Sequence, residues 1–225
     1  IFFLLLLLIF SIISLRNYSG VMKKKEKFSK LFSKSNSINI LSASRVFLFG
    51  ARDIWFVVGV PIFFYDKLSW SFTEVGSFMA SWIIFYGIIQ SLAPKLLKIF
   101  YGNNFSENEQ AFIWAIKLLL IIACLGILSY TYDYNGYLIC MGLFLFGFIF
   151  AINSSIHSYL ILALAKKNDV TLDVGFYYMA NAMGRLLGCI ISGFSYQIAG
   201  LIGCFVFAGI FLFFCSVFSF YLKSY

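Results

Sequence analysis

Two arginines lie in parts of the sequence that are otherwise apolar enough to cross a membrane. Arg52 and its neighbour Asp53 occur within the apolar stretch 43–64, and Arg185 lies in a second apolar stretch, YYMANAMGRLLGCIISG. An ionisable group at such a depth is costly, so it is by default a functional candidate. A guanidinium carries five donors in a fixed plane, which suits a carboxylate or a phosphate-like group.

Two interpretations of these charges are open. Arg52 could line an anion path while Asp53 orients it or exchanges protons, or both could form buried ion pairs that fix helix packing or gate one side. As neighbours they point about 100° apart on a helix, so we expect each to face a different partner. Arg185 is interpreted as a substrate ligand or as an ion-pair partner of Asp53. Asn181 precedes it by one helical turn on the same face.

Other polar residues within apolar stretches are further candidates. His157 and Asn153 are one helical turn apart on the same face, and Gln90 belongs to the same class. These side chains either line a cavity or relay protons, or they join helices through hydrogen bonds. Lys117 is predicted to extend its ammonium to the inner membrane surface, with a part in coupling or gating as the alternative.

The composition indicates a membrane protein that positions these residues on helices. Of the 225 residues, 62% are hydrophobic and only 12% are charged; soluble proteins average about 25% charged residues. A net charge of +8 would also suit a nucleic-acid partner. The basic residues, however, lie in short loops between apolar stretches, which is typical of membrane topology. We therefore predict a lipid bilayer as the partner and no nucleic acid.

Six apolar stretches are long enough to span a bilayer. The predicted fold class is an all-α, polytopic transmembrane protein. The second span is predicted to end at Ala93-Pro94, and a brief turn at Ala199-Gly200 separates the last two. Gly184 and Gly188 form a small-xxx-small pair that allows close helix approach. The predicted spans are 43–65, 74–94, 111–131, 137–165, 174–197 and 201–222.

The residues before these spans predict two further segments. Residues 1–16 begin without Met and are apolar but shorter than the roughly 20 residues of a spanning helix. We predict that they are the end of a transmembrane helix from an N-terminal half that this sequence lacks. Residues 17–42 are a basic linker, interpreted either as an amphipathic helix on the inner leaflet, with Phe28, Leu31 and Phe32 on one face, or as a disordered segment.

The loop charges predict the orientation of the domain 43–225. The linker, the loops after the second and fourth spans, and the C-terminus hold almost all of the basic residues outside the spans, and Arg45 at the mouth of the first span is counted with them. The opposite side holds only Lys67. By the positive-inside rule, the linker and the C-terminus are predicted to be cytoplasmic in a multi-pass protein of the inner (plasma) membrane.

Enzymatic and metal-binding interpretations find little support in the sequence. There is one histidine, and there is no HExxH, GxSxG or GxxxxGK[ST] motif. We predict no enzyme activity, no cofactor and no metal site. The cysteines lie inside apolar spans without a CxxC pair and are interpreted as small hydrophobic residues; they are Cys124, Cys140, Cys189, Cys204 and Cys215.

Three segments resemble one family: SASRVFLFGARDIWFVVGVPIFFY, WIIFYGIIQSLAPKLLK and YYMANAMGRLLGCIISG. They are similar to the C-terminal half of the organoarsenical efflux permeases, the ArsJ type, of the major facilitator superfamily. The resemblance covers about 43–225, although the superfamily loop motif between the second and third spans is degenerate. It implies a six-helix half-bundle that pairs with an N-terminal half.

The resemblance also implies a substrate. It is 1-arseno-3-phosphoglycerate, which a functionally linked glyceraldehyde-3-phosphate dehydrogenase produces and whose export confers arsenate resistance. Independently, the cations Arg52, Lys117 and Arg185 outnumber the single acid Asp53 within the spans, which suits an anionic small molecule. One alternative is a major facilitator exporter of another organic anion or drug. The other is a non-transporting membrane scaffold, in which Arg52 and Arg185 would tolerate neutral substitution.

Overall fold

The chain divides into two compact units, residues Ile1–Ser33 and Lys34–Tyr225. In the first unit the described helix is α1 (Phe2–Leu15), whose described side chains are exposed. Most of the predicted basic linker, and with it both interpretations of its structure, lies outside the described residues. The computed structural model describes residues 2–15, 35–102, 106–131, 136–165 and 170–222.

The second unit opens with α2 (Asn36–Ile54), whose first turn is capped by Ser35. The predicted boundary at residue 43 is wrong, because residues 36–42 belong to the helix and not to the linker. Ile38 and Leu41 are fully buried in the bundle. Packing therefore stabilises residues 36–42 as a helix, although their low hydropathy does not predict a span.

A single wide turn interrupts this first span. After α2, residues Trp55–Gly59 form a π-helical turn, and α3 (Val60–Asp66) continues the helix. Pro61 has no N–H to bond the carbonyl four residues earlier, which favours an irregular turn just before it. The backbone N–H groups of Val58 and Gly59 donate to Ser192 Oγ at 3.2 and 3.3 Å, so the irregular turn is held by a hydroxyl from another helix.

The second span, α4 (Phe72–Tyr101), begins at a capping box in which Ser71 and Glu74 bond each other's backbone N–H groups. The prediction that it ends at Ala93-Pro94 is wrong, because Pro94 lies inside the helix. A proline removes only its own N–H donor and strains one turn. The helix therefore resumes beyond it and ends at Gly102, which has a φ of 70°.

Five helical runs among the described residues are long and apolar enough to cross a membrane. The last of them, α7, has non-helical backbone at Ala199 and Gly200. We call the helix before this point α7a (170–198) and the helix after it α7b (201–222). The five runs are Asn36–Asp66, Phe72–Tyr101, α5 (Glu107–Thr131), α6 (Gly136–Leu164) and α7 (Val170–Leu222).

α7a runs in the same direction as α2. Gly184 lies directly against the backbone of Val46, and Ser192, two turns later, bonds Val58. The contact at Gly184 has no room for a side chain, and the same is true of Gly188 one turn further on. The predicted close approach at this glycine pair is therefore confirmed.

α7b runs in the opposite direction along the same helix. Ser219 Oγ lies 2.8 Å from Ser44 Oγ near the start of α2, whereas Cys204 packs against Gly59 beyond its end. The chain therefore reverses at Ala199-Gly200, as the sequence predicts. With α7a and α7b counted separately, the described residues of the second unit form six membrane-length helical segments, which confirms the predicted all-α transmembrane half-bundle.

Aromatic side chains fill the interior between α2, α4 and α6. Trp55 and Trp82 meet edge to face with ring centroids 5.5 Å apart, and Phe146 stands 5.3 Å from Trp55. The indole N–H of Trp82 donates to the carbonyl of Leu143 at 2.8 Å, so this buried polar group is satisfied. This packing holds the first span beside α6. The arginines described below and most of their partners lie on α2, α6 and α7a.

The turn at Gly200 provides a test of the helix reversal. Gly200 has φ 59° and ψ −147°, a conformation that is almost exclusive to glycine. We expect Gly200→Ala to destabilise the protein by about 1–3 kcal/mol, seen as a lower melting temperature in detergent. The control is Gly193→Ala, since a Cβ at either position meets open space but Gly193 is helical. Equal melting temperatures for the two variants would contradict the requirement for glycine at position 200.

Candidate functional site

Asp53 lies between two arginines at the contact of α2 with α7a. Its carboxylate is 1% exposed. Arg52 Nε donates to Oδ1 at 2.6 Å, and Arg185 Nε donates to Oδ2 at 3.1 Å. The structure therefore realises the ion-pair alternative for Arg185. The three charges sum to one net positive charge.

The prediction that Arg52 and Asp53 face different partners is wrong. Their Cα–Cβ bonds do diverge along the helix, but the long arginine side chain folds back so that its guanidinium reaches the neighbouring carboxylate. Three aromatic rings, those of Phe49, Phe56 and Phe150, lie 5.2–5.7 Å from this guanidinium and leave it only 12% exposed. These rings are favourable neighbours for a cation.

The glycines of α7a position Arg185. A Cβ on Gly188 would lie 2.8 Å from Asp53 Cβ and 2.7 Å from the carbonyl oxygen of Gly50. Only glycine allows α7a to approach α2 so closely, and this approach brings the Arg185 guanidinium to Asp53. The Arg185 side chain is nevertheless 57% exposed, so it is the accessible cation of the cluster.

Arg45, predicted at the mouth of the first span, forms a second cationic site. Its side chain is buried at 3% exposure and lies about 14 Å along the helix that begins at Asn36. Its Nε donates to Asn181 Oδ1 at 3.1 Å, and its Nη1 donates to the carbonyl and hydroxyl oxygens of Ser154, both at 3.2 Å. The ring of Phe49 lies 3.9 Å from the guanidinium.

The partners of Arg45 are neutral. No carboxylate of the described residues lies within ion-pair distance of it, whereas Arg52 and Arg185 share Asp53. A buried charge without a counter-charge is unfavourable. The second cationic site therefore carries a full positive charge that the described bundle leaves uncompensated.

Sequence-predicted residues surround this second site. Asn181 bonds Arg45 directly, and Gln90 reaches the same Ser154 hydroxyl, with Nε2 at 3.5 Å. Asn153 and His157 are fully buried on α6. Their side-chain nitrogen and oxygen atoms find no hydrogen-bond partner in the described part of the chain, so they do not join helices by hydrogen bonds there. An unpaired buried polar group costs about 1–3 kcal/mol.

The sequence analysis missed Arg45 and Ser154 as site residues. A signal for Arg45 was present: it precedes Arg52 by two helical turns and therefore lies on the same side of α2. Ser154 lies in the polar patch around Asn153 and His157, but nothing in the sequence distinguished it from the other serines there. Its role arises because α2 and α4 both meet α6 at this residue.

Lys117 is not brought to the arginines. Its ammonium lies 3.4 Å from the Tyr101 hydroxyl and 4.0 Å from the centre of the Trp114 ring. The groove beside it is lined by α4, α5 and α6 alone. Because Tyr101 is the last residue of α4, the ammonium lies beside the end of that helix.

The comparisons with known proteins identify the family. The model of the Major Facilitator Superfamily matches residues 41–224. The chain belongs to the Major Facilitator Superfamily. Members of this superfamily are membrane transporters, so the chain is an integral membrane transport protein and not an enzyme. Searches of curated proteins and of solved structures find no match.

In this superfamily member the arrangement is chemically suited to hold an anion. The cluster at Asp53 and the site at Arg45 lie about two turns apart on α2 and together carry two net positive charges. Guanidinium donors bind phosphate and carboxylate groups in the plane of the fork. Among the described residues, no group of three metal-ligating side chains occurs.

Proposed function

We propose that this transporter exports an anionic small molecule and that its substrate is 1-arseno-3-phosphoglycerate. The observation that carries the proposal is the surplus positive charge of the two sites. Arg52 and Arg185 pair with the single carboxylate of Asp53, and Arg45 lies buried with neutral partners. A site with surplus positive charge in a low-dielectric environment attracts anions strongly. The sequence resemblance to the organoarsenical permeases supplies the identity of the anion.

Arg185 is the residue that contacts the substrate first. Its bond to Asp53 uses Nε, and no described residue accepts a hydrogen bond from its two terminal nitrogens. Those nitrogens are the pair that binds an oxyanion side-on. Asp53 holds the Arg185 guanidinium in place. The buried positive charge of Arg45 adds further attraction for the anion. Asn153, His157 and Gln90 supply neutral polar groups around the same path.

The orientation and the partners complete the proposal. The linker and the C-terminus face the cytoplasm of the inner membrane, as the loop charges indicate. The six segments work with a second six-helix half, because alternating access rocks two halves around a shared site. A glyceraldehyde-3-phosphate dehydrogenase supplies the arsenate ester from the cytoplasmic side.

The experiment that tests this function is arsenic export by cells that express the full-length gene, with and without a co-expressed glyceraldehyde-3-phosphate dehydrogenase. We expect arsenate resistance and efflux only when both proteins are present. A well-inserted protein that gives neither result would overturn the arsenate ester as the substrate. The substrate would then be another organic anion or a drug.

The role of Arg185 has a separate test. We expect Arg185→Ala to abolish export while membrane insertion stays intact, because Arg52 still pairs with the buried carboxylate. The control is Lys67→Ala, which removes an exposed basic side chain outside the spans. Export and insertion are measured for both variants in the same cells. Normal export by Arg185→Ala would remove Arg185 as a substrate ligand.

A further inference from the structure

A groove on the surface of the bundle lies between α4, α5 and α6, apart from the arginine sites. Its volume is about 380 Å³. One part is polar, with Tyr101, Trp114 and Lys117. The other part is apolar, with Phe100, Leu145 and Phe148. No residue of α2 or α7 lines it, so it is separate from the proposed transport path.

The polar part consists of hydrogen-bond donors without an acid. The Lys117 ammonium has the Tyr101 hydroxyl at 3.4 Å and the face of Trp114 at 4.0 Å. No carboxylate among the described residues pairs with it. Trp114 is 4% exposed, and its buried indole N–H finds no acceptor in the described part of the chain. A cation without a paired acid is suited to an anionic oxygen.

The apolar part is open to the surroundings. Phe100 is 51% exposed and Leu145 is 52% exposed, on helices that are long and apolar enough to cross a membrane. In a bilayer these side chains face hydrocarbon chains. A ligand that matches the whole groove therefore combines an anionic head with an aliphatic tail.

The location of the groove indicates which leaflet supplies this ligand. Tyr101 ends α4, and the same end of α4 carries the exposed Lys95 and Lys98. Basic residues at a span end favour the cytoplasmic side and attract anionic lipids of that leaflet. A transmembrane helix of another protein would instead bury the Lys117 ammonium without a counter-charge.

We propose that this groove is a binding site for an anionic phospholipid of the cytoplasmic leaflet. The phosphate lies at Lys117, where the ammonium donates to its oxygens beside the Tyr101 hydroxyl. One acyl chain lies along Phe100 and Leu145. Lys117 thereby has a lipid-binding role in place of the coupling or gating role considered from the sequence.

The test measures lipids retained by the purified full-length protein. The protein is extracted from vesicles of equal phosphatidylglycerol and phosphatidylcholine, and bound lipid is counted by native mass spectrometry. We expect a preference for phosphatidylglycerol that falls about tenfold in Lys117→Gln, because a charge-assisted hydrogen bond is lost. Lys67→Gln, which removes an exposed lysine that precedes the start of α4 and lies outside the groove, is expected to retain the preference.

A second variant keeps the charge and blocks the tail. Leu145→Trp fills the apolar part of the groove at an exposed position and is also expected to reduce phosphatidylglycerol retention. Unchanged retention in either Lys117→Gln or Leu145→Trp overturns the proposal. Equal retention of the two lipids by the unmodified protein overturns it as well. Displacement of phosphatidylglycerol by millimolar inorganic phosphate would show a free-phosphate site instead of a lipid site.

Discussion

Replacing both Arg52 and Arg185 by glutamine is expected to destabilise the protein by about 3–5 kcal/mol. The double variant leaves Asp53, which is 1% exposed, without a cation. Each single substitution is expected to cost about 1 kcal/mol or less, because the other arginine remains on the carboxylate and because the exposed Arg185 is screened by its surroundings. The measurement is the melting temperature in detergent for the two single variants and the double variant.

The control is a triple variant that also carries Asp53→Asn. Removing the carboxylate removes the unpaired charge, so we expect the melting temperature of the triple variant to return close to that of the unmodified protein. Export should stay lost, since both guanidinium groups are absent. A triple variant that folds and exports normally would contradict the anion-binding role. If the destabilisation of the double variant equals the sum of those of the two single variants, then Arg52 and Arg185 do not share the carboxylate of Asp53.

Gly184→Ala is expected to disrupt the contact of α7a with α2. A Cβ at this position would overlap the carbonyl oxygen of Val46. The overlapping atoms belong to the backbone, so no side-chain rotation can relieve the contact and the two helices must move apart. We expect a destabilisation of about 3 kcal/mol and loss of export, because the same movement draws Arg185 away from Asp53. The measurements are the melting temperature and the export assay.

Gly175→Ala is the matched control for this substitution. Gly175 lies on the same helix, but a Cβ there meets open space. We expect its melting temperature and its export to equal or exceed those of the unmodified protein, since alanine is the better helix former. If Gly184→Ala behaves like Gly175→Ala, then close backbone approach is not what holds α7a on α2.

Much of the fold follows from the sequence because transmembrane spans are a local property. In a bilayer each span must satisfy its own backbone hydrogen bonds, so a run of about 20 apolar residues is sufficient to predict a helix. The reversal at Ala199-Gly200 and the close approach at Gly184 were predicted in this way, from residue types that permit a turn or a contact. The start of α2 at Asn36 and the continuation of α4 past Pro94 were not predicted. Packing between helices outweighed the conformational preference of the local residues at both points.

The sequence alone also determined that charges would lie inside the membrane, since their depth follows from the apolar residues around them. Only the tertiary structure decided which charges share a partner. Asp53 and Arg185 are 132 positions apart, and their contact depends on the approach of α7a to α2. Arg45 became a buried cation because Ile38 and Leu41 pack and extend the helix before it. Helix starts and side-chain partners are set by packing between distant segments, which spacing within one segment does not reveal.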